Sequence, residues 1–464
     1  MALSIKFIGA SGIVTGSNYL VTAPSAKFLV DCGLYQGSYE ASQKNYEPFP
    51  YDPKQIDFLI LTHSHLDHCG LIPKLYRLGF RGKIYSTPAT AELAEALLTD
   101  AAHIQEHGAT RQDIETLFVT ADVEGALKLF ETHNYGEEFS AGDIKIRLQD
   151  AGHILGSAIA EIWVDGPPSS RQVGTTERAG KKIVFSGDLG NSPVPIMRDP
   201  TLISEADYVI SESTYGDRLH EPPTSREKKL LAAIQHAQKK HAKLVIPSFA
   251  LERSQDLLYT LNLLRDTNQM PNIPVILDSP LAIKVTDIYK KYTDLFDEDF
   301  QKYLKVDPDL FDFPGFRQTA STEESKALNT LEGAAVIIAG SGMADGGRVQ
   351  HHLIHQLDNP DNQVLFVGFC TPGTLGRKLL DGATKVRVLD QVVTVQAAVR
   401  SLNAFSAHAD QQGLINWLSG FTTNPTIFLT HGEDEAREML AGKLTSQLKR
   451  TVILPKADQQ VDLK

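Results

Sequence analysis

A chain of 464 residues with 42% hydrophobic content has room for two or three domains with sizeable cores. Its formal net charge of −12 excludes a generally basic nucleic-acid coat, although a metal pair and a few local Lys and Arg can still dominate one cleft. Three cysteines, Cys32, Cys69 and Cys370, form no CxxC and make no disulfide framework, so they read as reduced packing thiols. The first residues, Met1-Ala2-Leu3-Ser4-Ile5-Lys6, carry no basic leader, and no apolar run is long enough for a membrane span. A soluble cytoplasmic protein is expected, with no membrane partner.

Ser4–Phe7 and Tyr19–Thr22 read as the start of a β meander with a Gly-rich turn between them. Lys27–Val30 is the next strand, closed by Asp31 and followed by a turn at Gly33. Asp57-Phe58-Leu59-Ile60-Leu61-Thr62 is a short apolar run with a β-branched residue, the mark of a buried strand. It runs into His63-Ser64-His65-Leu66-Asp67-His68, and a helix is expected from about Gly70. A lone loop histidine is usually a solvated residue. Three His and one Asp at the carboxyl end of a strand are a ligand set, because α/β proteins place their chemistry there and imidazole with carboxylate suits zinc. His63 and His65 can share one metal, and Asp67 and His68 can turn to a second.

Residues 84–107 read as a strand then a helix, Thr116–Phe130 as further helix, and Asp143–Arg147 as a strand. His153 follows, between small residues that permit close backbone approach. Residues 166–181 are polar and rich in Gly, Pro and Ser, the composition of a mobile hairpin loop. Asp188 and Glu212 each close an apolar strand. From about Thr214 the texture changes to strands alternating with helices, which indicates a parallel sheet flanked by helices. The expected domains are 1–212, 213–394 and 395–464, the last completing the first. Near the end, Ser406-Ala407-His408-Ala409-Asp410 precedes a helix, and Thr426-Ile427-Phe428-Leu429-Thr430-His431-Gly432-Glu433 is strand, loop and helix start.

The hexapeptide, with Asp31, His153, Asp188 and His431, resembles the metallo-β-lactamase superfamily. Ser211-Glu212-Ser213-Thr214-Tyr215-Gly216, the His408 segment and Thr430-His431-Gly432-Glu433 resemble motifs A, B and C of the β-CASP ribonucleases. The resemblance covers essentially the whole chain. It implies an αββα sandwich with an inserted β-CASP domain. It also implies two zinc ions per chain, one on His63, His65 and His153 and one on Asp67, His68 and His431, bridged by Asp188. Asp31 would orient ligands from behind. Two metals about 3.5–4 Å apart lower the pKa of a shared water, which attacks phosphorus in line. His408, with no metal place left, would be the general acid, held protonated by Glu212. Asp67, His408, Glu212 and Asp31 are therefore the expected catalytic set.

Candidates for gripping a phosphate backbone lie in the second domain. Gly340-Ser341-Gly342-Met343-Ala344-Asp345-Gly346-Gly347-Arg348 sits between a strand and a helix, so its amides can face an anion. Ser341, Gly342, Arg348, His352, Arg377, Lys378 and Arg253 are the expected contacts. The activity expected is hydrolysis of single-stranded RNA, endonucleolytic with room for 5′-exonuclease action, and a homodimer is compatible with the chain. A small-substrate hydrolase needs no such inserted domain. In DNA-acting members of the clan motif C resembles a Val, so His431 favours RNA. A degenerate RNA-binding scaffold would have lost ligands.

Overall fold

The computed structural model describes residues 2–112, 115–165, 180–221, 224–368, 370–371, 373–402 and 406–464. Two compact units divide it. Unit one is Met1–Ser192, Met197–Leu219 and Ala407–Lys464; unit two is Pro193–Ile196 and His220–Ser406.

Unit one holds, among the described residues, two seven-stranded sheets. The first runs Gln459–Asp462, Ser4–Phe7, Tyr19–Thr22, Lys27–Val30, Phe58–Ile60, Lys83–Ser86, Phe130–Thr132. The second runs Val452–Ile453, Thr426–Leu429, Tyr208–Ser211, Gly180–Phe185, Ala158–Asp165, Ile144–Asp150, Glu138–Ala141. Strand alternation sets the faces. Ile144, Ile146 and Leu148 are buried, while Lys145, Arg147 and Gln149 point the other way. The buried faces meet each other: Ile5, Phe28 and Ile60 of one sheet share a core with Ile146, Ile162 and Ile210 of the other. Phe7 meets Phe428 at 5.3 Å between ring centroids, and Tyr19 meets Phe185 at 5.6 Å. Truncating a buried ring such as Phe185 to Ala is expected to cost about 3–5 kcal/mol.

Helices cover both outer faces. Leu29, Leu59 and Ile84 pack against Ile72, Leu98 and Val123 of helices Ile72–Arg77, Pro88–Gln112 and Thr120–Leu127. Ile159, Val184 and Ile427 pack against Leu414, Leu418 and Leu440 of helices Gln411–Ser419 and Asp434–Leu448. The product is the expected αββα sandwich, whose candidate ligand-bearing loops leave the carboxyl ends of strands, that of His153 from the antiparallel strand Ile144–Asp150.

Unit two is built on a six-stranded parallel sheet in the order Phe316–Gln318, Val275–Asp278, Ala335–Ala339, Lys243–Pro247, Gln363–Phe366, Ala398–Ser401. Ala335–Ala339 is buried at every position, the unbroken apolar run of a strand covered on both faces.

Two sequence expectations change. The helix expected over Thr116–Phe130 spans only Thr120–Leu127, and Phe130 opens an edge strand paired parallel to Ile84–Ser86. Three residues are too few to show alternation. The 166–181 loop lies outside the described residues, except that Gly180 and Lys181 already belong to strand Gly180–Phe185 and pair with Asp165 and Val164. The three cysteines are buried and free, as expected. Among the described residues no helix is long and apolar enough to cross a membrane.

Candidate active site

Unit one gathers seven side chains at the loop end of its sheets. Asp31 has left-handed backbone, φ 59°, which turns its carboxylate back over the next strand. There it accepts from Thr62 N at 2.8 Å and Thr62 Oγ1 at 2.8 Å. It also lies 2.7 Å from Nδ1 of His68. A proton on that Nδ1 leaves the Nε2 lone pair facing outward, the arrangement of a metal-ligating histidine braced from behind. Asp31 touches ligands rather than the reacting space. Gly33 permits the close approach: a Cβ there would lie 1.6 Å from the Asp67 carbonyl oxygen.

Helix Leu66–Cys69 starts at His65, so Asp67 and His68 fall in its first turn. His153 sits in a turn after Gly152, with its own N–H and that of Ile154 bonded to Ser157 Oγ at 3.1 and 3.2 Å. His431 also has positive φ, 46°, and its N–H donates to the Ala10 carbonyl at 2.6 Å. Thr214 Oγ1 is 3.0 Å from its Nδ1.

These residues form two groups with ligand atoms close enough to share an ion: His63, His65, His153 and Asp188, and Asp67, His68 and His431. Asp188 serves both. Its Oδ2 lies 3.5 Å from His63 Nε2 and 3.7 Å from His153 Nε2. Its Oδ1 lies 3.4 Å from His68 Nε2 and 3.5 Å from His431 Nδ1, and has no hydrogen-bond partner although buried.

The imidazoles face one another. His65 Nδ1 is 3.2 Å from both His63 Nε2 and His153 Nε2, and His68 Nε2 is 3.3 Å from His431 Nε2. Lone pairs converging on a common point are what a cation resolves, so the residues fit a metal. Burial pushes His65 down to about 4 and holds His63 and His153 well below the ordinary imidazole value, which keeps them neutral and able to ligate. Burial also disfavours charge on His68, but Asp188 and Asp31 outweigh it and raise its pKa well above the usual value. A third grouping, Asp188, Glu212 and His431, shares two members with these.

Glu212 is buried and has other work. Its Oε1 accepts from Leu189 N at 2.6 Å, and both its oxygens lie 3.2 Å from His408 Nδ1. The His408 ring stands 4.4 Å from that of His153 between centroids and keeps 22% side-chain exposure, enough to meet a substrate. Burial opposes its charge, but Glu212, then Asp188 and Asp67, push it up to about 9.

The seven predicted ligands, Asp31, Glu212 and His408 thus come together in unit one. Ser341, Gly342, Arg348, His352, Arg377, Lys378 and Arg253 lie in unit two. Two of them meet on one buried carboxylate: Arg348 NH1 is 2.7 Å from Asp278 Oδ1, and His352 Nε2 is 2.6 Å from Asp278 Oδ2. Arg253 is buried beside Glu252 at 3.2 Å. Arg377 pairs with Asp381 at 2.9 Å on the surface, and Lys378 is exposed. Ser341 Oγ accepts from Gly346 N at 3.3 Å, closing its loop on itself.

Sequence reasoning missed Thr62, Ser157 and Thr214 as supports of the ligands. Thr62 and Thr214 sit beside recognised motif residues, so adjacency was the available signal; Ser157 had none beyond its place near His153.

A model of the metallo-beta-lactamase superfamily matches residues 12–248. The chain belongs to the metallo-β-lactamase superfamily. Within it, a Beta-Casp domain model matches residues 254–379, and a model of the Zn-dependent metallo-hydrolase RNA specificity domain matches residues 392–455. This metallo-β-lactamase chain is 38% identical over 436 residues to "Ribonuclease TTHA0252" of Thermus thermophilus, covering 94% of each chain. It is 29% identical to "Transcription termination factor FttA" of Methanosarcina mazei, across 96% of this chain and 69% of that one. With "Cleavage and polyadenylation specificity factor 73" of Drosophila melanogaster it shares 28% identity, across 100% of this chain and 63% of the other. A crystal structure of a protein of unknown function from Enterococcus faecalis has the same fold, with a TM-score of 0.55, 12% identity and full coverage of both chains.

Proposed function

We propose that this protein is a zinc-dependent ribonuclease that hydrolyses phosphodiester bonds of single-stranded RNA, chiefly endonucleolytically. The observation that carries the reading is the division of Asp188, one oxygen toward each histidine group, beside the Glu212–His408 pair. The all-N/O donor set suits zinc. His63, His65 and His153 would hold one ion and Asp67, His68 and His431 the other, with Asp188 facing both groups. When bound there, a zinc pair would supply a water of lowered pKa as nucleophile and offset charge on the phosphate oxygens.

The protein's own residues do the rest. Asp31 holds His68 in one tautomer and Thr214 holds His431. Glu212 keeps the Nδ1 proton of His408, leaving Nε2 to donate a proton to the departing 3′ oxygen. Water adds to phosphorus, the bond to the 3′ oxygen breaks, and the products are a 5′-phosphate and a 3′-hydroxyl. In unit two, Ser341, Gly342, Arg377 and Lys378 contact the RNA, while Arg348, His352 and Arg253 hold those loops from behind.

RNA as substrate is supported by the RNA specificity domain match and the ribonuclease relative. The test is cleavage of matched 5′-labelled single-stranded RNA and DNA by zinc-loaded protein, with His408→Ala as control. Internal RNA cuts, absent on DNA and in the control, are expected. Release of the labelled mononucleotide alone would shift the reading to a 5′-exonuclease. Intact RNA, with two zinc ions bound, would reject it.

A further inference from the structure

Phe249 is an exposed aromatic ring on a rigid mount. It follows strand Lys243–Pro247 in unit two, at the carboxyl end of a parallel sheet, where such sheets hold ligands. The residue is 41% exposed, while Ser248 before it is buried. An exposed Phe is by itself ordinary. This one is seated on glycine backbone. A Cβ on Gly342 would meet three ring carbons at 2.6, 2.7 and 3.0 Å, and one on Gly368 would come within 3.9 Å of the same edge. Only a residue without a side chain can lie under the ring at Gly342.

The backbone carrying the ring is held from inside. The Phe249 carbonyl accepts from Ser254 Oγ at 2.7 Å and Ser248 Oγ at 3.2 Å. The Ala250 carbonyl accepts from Gln255 Nε2 at 3.1 Å, and that amide, fully buried, also donates to Thr286 Oγ1 at 2.9 Å. Glu252 closes the turn with φ 68°, a strained conformation for a residue with a side chain. A mobile hydrophobe needs none of this. A fixed ring on a residue that stays 41% exposed is a surface for a flat partner, and such a mount lowers the entropy cost of ordering it at the moment of binding.

We infer that Phe249, seated on Gly342, is a stacking platform for one nucleobase of the substrate strand. The neighbouring loop names the partner's chemistry. Gly342 is next to Ser341, whose N–H donates to the Gly346 carbonyl and whose Oγ accepts from Gly346 N, which leaves the Ser341 O–H to donate to a phosphate oxygen beside the ring. A protein partner would use the ring equally, but it would have no use for a sugar–phosphate seat beside it. Base–aromatic stacking tolerates any base, so the platform adds affinity and register without sequence preference.

This inference rests on the ribonuclease reading, and the experiment separates the two. KM and kcat are measured on one oligoribonucleotide, with and without an abasic nucleotide at successive positions, for wild type, Phe249→Leu and Phe249→Tyr. Leucine keeps the apolar contact on Gly342 and removes the stacking face; tyrosine keeps both. KM is expected to rise about tenfold in Phe249→Leu, with kcat unchanged and Phe249→Tyr near wild type. At one abasic position the penalty of Phe249→Leu should vanish, because the two changes delete one interaction. RNA carrying 5-iodouridine at that position should photocrosslink to the peptide containing Phe249. Wild-type KM in Phe249→Leu, with wild-type protein cutting RNA normally, overturns the platform and leaves the ribonuclease standing. Wild-type protein that leaves RNA intact overturns the ribonuclease reading and the platform with it.

Discussion

Both carboxylate oxygens of Glu212 lie 3.2 Å from Nδ1 of His408, a contact made across 196 residues of chain. Neither metal-holding group needs His408. His408→Ala should therefore keep its metal content yet lose cleavage by about 10²–10⁴-fold, the range for a missing general acid. Glu212→Gln retains an acceptor for Leu189 N but carries no charge to keep the imidazole protonated. A smaller loss than His408→Ala is expected, with the alkaline limb of the pH profile, where the general acid loses its proton, moving to lower pH. Plasma mass spectrometry for zinc and single-turnover cleavage check both. Full activity of His408→Ala would remove it from the mechanism.

Asp188→Ala tests the bridge. The change removes one oxygen from each histidine group and leaves His63 and His153 without their carboxylate, while Asp31 and Asp67 stay beside His68 and His431. Metal is expected to fall below two ions per chain, and activity with it. Asp188→Asn should lose less, since one oxygen remains. A variant that retains two ions after Asp188→Ala would reject the shared carboxylate.

What was readable in the sequence was local. The His63–His68 segment is contiguous, follows an apolar strand, and its ligands are brought together by one turn of helix. Asp188, Glu212 and His431 each end a buried strand, a place that makes an acid or imidazole conspicuous. Unreadable were residues whose partners come from elsewhere in the chain. Asp278 closes a strand just as Asp188 does, yet it serves to anchor Arg348 and His352. Arg348 and His352 looked like free phosphate contacts because charge in a sequence does not disclose its ion pair. The edge strand Phe130–Thr132 owes its existence to its neighbour, since three residues carry no period of their own.

Glu161 offers a pH test away from the metal site. It is buried, 2.7 Å from Arg147 and 2.5 Å from Lys182. Burial pushes its carboxyl up, but Arg147 and Lys182 outweigh it and hold the pKa below the usual glutamate value. A depressed folded-state pKa contributes stability that is full above the unfolded value of about 4.3 and is lost as pH falls through the folded value. Glu161→Gln should cost about 1.5–3 kcal/mol at pH 7, the range for hydrogen bonds to charged groups. The gap between variant and wild type should close in acid, below about pH 4. Urea unfolding at pH 7 and at pH 3.5 measures it. A gap of equal size at both would mean that packing, not charge, accounts for the loss.

Asp278 provides the corresponding test in unit two. Its carboxylate is buried and accepts from Thr319 Oγ1, Ser325 Oγ, Arg348 NH1 and His352 Nε2, at 2.7, 2.7, 2.7 and 2.6 Å. Burial raises its pKa, and His352, Ser325, Thr319 and Arg348 together bring it well below the ordinary aspartate value. Asp278→Ala leaves a guanidinium and an imidazole without their shared anion, a loss of about 3–5 kcal/mol for a broken buried pair. Asp278→Asn should recover little, because its amide turns a donor toward groups that are themselves donors. Arg348 also donates to the Thr319 and Ala320 carbonyls, so it stays near its place while the turn it braces loosens. The expected consequence for function is a rise in KM for RNA at unchanged zinc content, since all seven proposed metal ligands belong to unit one. Urea unfolding, zinc analysis and KM on one set of proteins decide it. A variant that binds RNA as wild type does, despite the lost stability, would show that the Ser341–Arg348 turn has no part in holding the strand.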